Sequence, residues 1–129
     1  MITHKNVIKT IECVFHSILL KCVMKYNTPE TRRILSERFS DGCQPFVDGG
    51  LINEFNVTCN EYNNNTPDII DNGAVWVDTN IEIDGVIYYI YSYIGLLSGF
   101  IDIDSRCKND EELTNLDRQK KLEYILEEK

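Results

Sequence analysis

The residues best suited to chemistry in this sequence are two pairs of aspartates, two histidines and five cysteines. Asp102 and Asp104 in "DIDS" stand two apart, so on a strand both carboxylates share one face and offer a divalent cation part of a shell. Two carboxylates leave that shell incomplete and no EF-hand spacing follows, so solvated surface acids are the simpler reading. Asp68 and Asp71 flank two isoleucines in "PDIID". As a pair they suit acid–base or metal work; as single residues they suit caps and turns. His4 and His16 have no recognisable local partner, and no serine-nucleophile motif is present. Cys13, Cys22, Cys43, Cys59 and Cys107 are odd in number and irregularly spaced, without a C-x-x-C. Cys13 and Cys22 stand nine apart, on opposite sides of one helix, which disfavours a shared metal; reduced, mostly buried thiols are expected. "DGG" and "LSG" lack the strand–loop–helix setting and the lysine of a phosphate loop. The expectation is a protein with no catalytic residues, no cofactor and no metal, rather than an enzyme.

The elements that position these residues belong to a chain of 129 residues, enough for one core. The formal net charge of −8 argues against non-specific nucleic-acid binding and against adhesion to an anionic membrane. Residues 1–40 hold seven Lys/Arg and three Asp/Glu, and the remainder six and eighteen. A basic front and an acidic back suit head-to-tail docking of copies, although two solvated faces are the simpler reading of the split. The apolar run "VFHSILLKCVM" is too short to span a bilayer, and no secretory signal is apparent, so a soluble protein is expected.

Spacing of Ile8, Ile11, Phe15, Ile18, Leu19 and Cys22 predicts a helix over 5–26. "YNTPETRRIL" predicts a second, with Thr28 as N-cap, Pro29 in the first turn and Glu30 beside the dipole's positive end. Pro45 is expected to kink or interrupt it, and Gly49-Gly50 to end it. Strands follow at "EFNVTCN", "AVWVDTNIEI" and "VIYYIYSYI". Asp84-Gly85 is a two-residue hairpin signal. With that loop, paired residue numbers sum to 169. One face then holds Val75 with Ile94, Val77 with Ser92, Thr79 with Ile90 and Ile81 with Tyr88. The other holds Trp76 with Tyr93, Asp78 with Tyr91, Asn80 with Tyr89 and Glu82 with Ile87. This aromatic, acidic face reads either as a half-wet contact surface or as a second core layer. "FIDIDSRCKND" reads as a short strand or an extended arm, and residues 110–126 as an amphipathic helix capped by Asp110. The fold expected is α+β: a small mixed or antiparallel sheet, two N-terminal helices on one face, and a C-terminal helical tail. Residues 1–100 form the domain and 101–129 an extension.

The run "FNVTCNEYNNNTPDIIDNGAVWVDTNIEI", residues 55–83, resembles the C-terminal domain of contractile phage tail sheath proteins. Phe55, Val57, Cys59, Glu61, Asn64, Asn65, Thr66, Pro67, Ile70 and Asp71 match that family's pattern in order. "YNTPETRRIL" and "FVDGGLINEF" resemble the start and exit of its core helix, and "VIYYIYSYIGLLSGF" its last long strand. Asn60 stands where the family has aspartate. "IEIDGV" replaces an I-K-P-A segment, which leaves the loop contacts of that segment unsupported here.

The resemblance implies a structural virion component assembled in the host cytoplasm: an inner-layer subunit packed on a tail tube and meshed by strand addition between copies. With no large outer insertions ahead of the domain, a minimal sheath-like, sheath-capping or baseplate-proximal subunit is expected. Its partners would be copies of itself, tail sheath, tail tube or baseplate proteins, with no nucleic acid and no membrane. The expected interface residues are Trp76, Ile87, Tyr89, Tyr91 and Tyr93 on the aromatic face, and Asn64, Asn65 and Pro67 in the connection. Two rivals stand beside it: a small acidic adaptor or inhibitor of a basic partner, and a metal enzyme built on Asp68, Asp71 or the Asp102/Asp104 pair.

Overall fold

The computed structural model describes residues 3–108. Helices α1 (His4–Leu20) and α2 (Pro29–Asp48) precede β1 (Glu54–Thr58), a short α3 (Pro67–Asp71), β2 (Ala74–Ile83), β3 (Val86–Gly95) and β4 (Ile101–Cys107). The strands lie in the order β1-β2-β3-β4, and every neighbouring pair is antiparallel. The fold is α+β, with both long helices packed against one face of the sheet.

The β2–β3 register is the one expected from the hairpin: Ile83 faces Val86, and Ala74 faces Gly95 at the far end. Asp84 and Gly85 carry φ of 52° and 83°, so both turn residues are left-handed, as a twisted two-residue hairpin requires. The pleat then sends Val75, Val77, Ile81, Ile83, Ile90 and Ile94 to the helices, where all are buried. They meet Ile11, Phe15 and Leu19 of α1 and Leu35 and Phe39 of α2; Phe15 and Phe39 stack with ring centroids 4.1 Å apart. Thr79 and Ser92 lie on this same face, and their buried hydroxyls make no hydrogen bond among the described residues, a cost the surrounding apolar contacts must offset.

The helices depart from expectation at two points. α1 stops at Leu20 because the chain turns away to hydrogen-bond the β3–β4 connection, Met24 N–H donating to the Leu96 carbonyl at 2.6 Å. α2 begins as expected: the Thr28 hydroxyl accepts from Thr31 N–H and Pro29 opens the first turn. It then runs through Pro45 to Asp48. Pro45 removes the bond to the carbonyl of Asp41, an exposed residue near the helix end where the carbonyl is open to solvent.

The domain boundary expected at residue 100 is corrected. Residues 101–107 pair with β3 at seven positions, Ile94↔Ile101 through Tyr88↔Cys107, and Ile101 and Ile103 pack on the core. The strand reading of "IDIDSRC" therefore prevails over the arm, because its odd residues continue the apolar face. The helix expected over 110–126 lies outside the described residues.

Gly42 of α2 packs tightly on α1: an added Cβ would sit 2.9 Å from Val14 Cγ1 and 3.5 Å from Ile18 Cδ1. A branched side chain there forces the helices apart. Gly42→Val should destabilise the fold by about 1–3 kcal/mol in urea unfolding, despite valine's better helix propensity.

Candidate subunit interface and the asparagine latch behind it

β1 ends at Thr58, opposite Asp78, while β2 continues for four more residues toward Ala74. In an antiparallel ladder alternate residues direct both backbone groups to one side. Even-numbered residues of β2 face β1, so Trp76 presents its N–H and C=O beyond the end of β1. The Asn65 side chain fills the gap. Its Oδ1 accepts from Trp76 N–H at 2.9 Å, and its Nδ2 donates to the Trp76 carbonyl at 3.0 Å. One side-chain amide thus stands in for a residue of β1.

Neighbouring groups hold that amide in place. Asn27 Nδ2 donates to Asn65 Oδ1 at 3.1 Å and to the Ala74 carbonyl at 2.7 Å. The guanidinium of Arg32, only 5% exposed, donates to Asn27 Oδ1. Asn64 Nδ2 donates to the Thr58 carbonyl at 2.8 Å, and its Oδ1 accepts from Asn60 N–H and from Asn65 Nδ2. Asn60 Oδ1 accepts from the N–H groups of Tyr62 and Asn63, closing a local turn. The connection 59–73 is therefore a rigid latch between β1 and β2. It seats α3, whose Ile69 covers Ala74, Trp76 and Tyr93 on the sheet's second face.

That second face resolves into two halves. Trp76 and Tyr93, 4% and 1% exposed, form a small second core with Ile69, their rings in edge contact at 5.0 Å. Ile87, Tyr89 and Tyr91 are half-buried, and Tyr89 and Tyr91 stack with centroids 6.2 Å apart. A groove of about 350 Å³ runs beside them, lined by Glu54, Asn56, Asn80, Glu82 and Tyr89 among others. Glu54 and Glu82 face each other directly across β1 and β2.

Four of the expected interface residues require correction. Asn64, Asn65, Trp76 and Tyr93 are buried within the chain, the asparagines by their backbone partners and the rings by α3. Ile87, Tyr89 and Tyr91 remain half-accessible, and Pro67 is exposed at the start of α3. Asp68 and Asp71 are exposed on α3, Asp68 in its first turn. Asp104 pairs with Arg106 at 2.7 Å. Among the described residues no three His, Cys, Asp or Glu side chains converge as metal ligands. His4, without a local partner in sequence, reaches the hairpin: its Nδ1 lies 2.9 Å from the Tyr88 hydroxyl and its Nε2 3.0 Å from Asp84 Oδ2.

The sheet borders are β1 and β4. By the same alternation, Ile101, Ile103, Ser105 and Cys107 direct their backbone groups away from β3. Ser105 is covered by its neighbours: its N–H donates to Asp104 Oδ1 at 3.0 Å and its carbonyl accepts from Arg106 at 2.9 Å. Such charged side chains protect a border strand from indiscriminate pairing. No protein-family model, curated protein or solved structure matches this chain.

Asn65→Ala should remove both buried hydrogen bonds to the Trp76 backbone, costing about 3 kcal/mol in urea unfolding. Burial pushes the Cys43 and Cys59 thiols from 9.0 up to about 12, so folding favours the protonated form of each. Their contribution is complete below 9.0 and is lost as pH rises toward 12, so the urea midpoint should fall across that interval.

Proposed function

We propose that this protein is a structural subunit of a contractile tail, a sheath-like or sheath-capping component that joins its neighbours by strand addition. The observation that carries this reading is β4, a seven-residue border strand with outward backbone groups, half-buried on a sheet whose connection 59–73 is locked by its own side chains. Strand addition supplies affinity through main-chain hydrogen bonds and needs no reactive side chain. The ordered residues Phe55 to Asp71, which resemble the tube-proximal sheath domain, support the same reading, and give it a setting in the virion. Within it, Ile87, Tyr89 and Tyr91 are the aromatic positions available for contact with sheath, tube or baseplate.

Ile103→Pro removes one outward N–H from β4 while leaving the ladder to β3 intact. Analytical ultracentrifugation of the full chain, alone and with tail tube and sheath proteins, should show association for wild type and for Ile103→Val. The proline variant should lose it while remaining folded by circular dichroism. A wild-type chain that stays monomeric and binds neither tube nor sheath protein overturns the proposal.

A further inference from the structure

A groove of about 260 Å³ lies between α1 and the outer border of β4, lined by Lys5, Ile8, Lys9 and Glu12 of α1 and by Tyr88, Ser105, Arg106 and Cys107 of the sheet. Within a protein of net charge −8 it is locally cationic. Arg106 is engaged by Asp104, so the available positive charge is that of Lys5 and Lys9. Both are exposed, and neither makes an ion pair among the described residues. Lys5 lies in the first turn of α1, which contains no acidic residue. A lysine there opposes the helix dipole at a cost of roughly 0.3–1 kcal/mol, and among the described residues no ion pair compensates for it.

We propose that this groove receives an extended, carboxylate-bearing segment of another chain, laid along β4 with its acids toward α1. The inference rests on the strand-addition reading and names the chemistry of the strand added. Side chains on one face of a strand repeat every ~6.7 Å, and residues four apart on a helix repeat every ~6 Å. Lys5 and Lys9 therefore match carboxylates at alternate positions of an incoming strand. The strand's main chain meets the outward groups of Ile101 and Ile103, and its apolar alternate residues continue the sheet. Charge on the guest strand then decides which segment joins the border, because a lysine-bearing strand is repelled.

The probe is a short capped peptide alternating valine with glutamate, compared with one alternating valine with lysine, each titrated into the full chain by fluorescence anisotropy. The glutamate peptide should bind, more weakly at high salt, and the lysine peptide should not. Lys5→Glu combined with Lys9→Glu should weaken binding about tenfold while the thermal midpoint holds or rises, since the new acid in the first turn suits the dipole. A purely structural role for the lysines predicts the opposite change in midpoint. Equal binding of both peptides, or unchanged affinity in the double variant, overturns the assignment. Self-association measured in the same samples separates the two claims. Copies that associate without any preference for glutamate remove the groove assignment and leave the assembly reading standing. A chain that neither associates nor binds removes both.

Discussion

The side-chain amide of Asn65 completes the sheet where β1 stops, and much of the structure depends on it. It bonds both the N–H and the C=O of Trp76 beneath α3. An amide presents a donor and an acceptor side by side, as a backbone residue does, so one residue repairs the ladder without another strand. The repair fixes the connection 59–73, places Ile69 over Trp76 and Tyr93, and reaches the start of α2 through Asn27 and Arg32. A buried guanidinium held by a neutral amide is a costly arrangement in isolation. Here it makes the beginning of α2 and the end of β1 parts of one unit.

With that unit fixed, the sheet has two unlike faces and two unlike borders. The face toward α1 and α2 is a continuous apolar core. The other is dry only near Trp76 and Tyr93 and grades into stacked tyrosines beside acids. β1 is short and β4 longer, and Asp104 and Arg106 guard the middle of β4 by occupying Ser105. Under the strand-addition proposal, a guarded border next to a lysine-lined groove would let the backbone supply affinity and the charges choose the guest.

Much of this was legible in the residues. Asp84-Gly85 set the hairpin register through ten pairs because a two-residue turn leaves no freedom to slip, and Thr28-Pro29 marked the start of α2 because cap and proline agree. Long-range partnerships were not legible. Asn65 reads as a turn residue until Trp76 is seen to lie beyond the end of β1, and His4 as isolated until the fold brings Asp84 and Tyr88 to it. Trp76 and Tyr93 read equally as contact surface or as a second core layer, because alternation alone cannot tell whether a short helix such as α3 covers that face. Pro45 reads as a breaker because propensity does not know which side of the helix meets water. The carboxylate pairs carried no such hidden geometry: Asp68 and Asp71 remain exposed, and Asp104 is taken by Arg106.

The central claim is that the border of β4 is completed by a strand from another chain. Hydrogen exchange of the Ile101 and Ile103 amides, compared between the isolated protein and the protein bound to the proposed tail tube and sheath partners, tests it most directly. Rapid exchange in the isolated chain and strong protection in the assembly is the predicted result. Equal exchange in both states would contradict it.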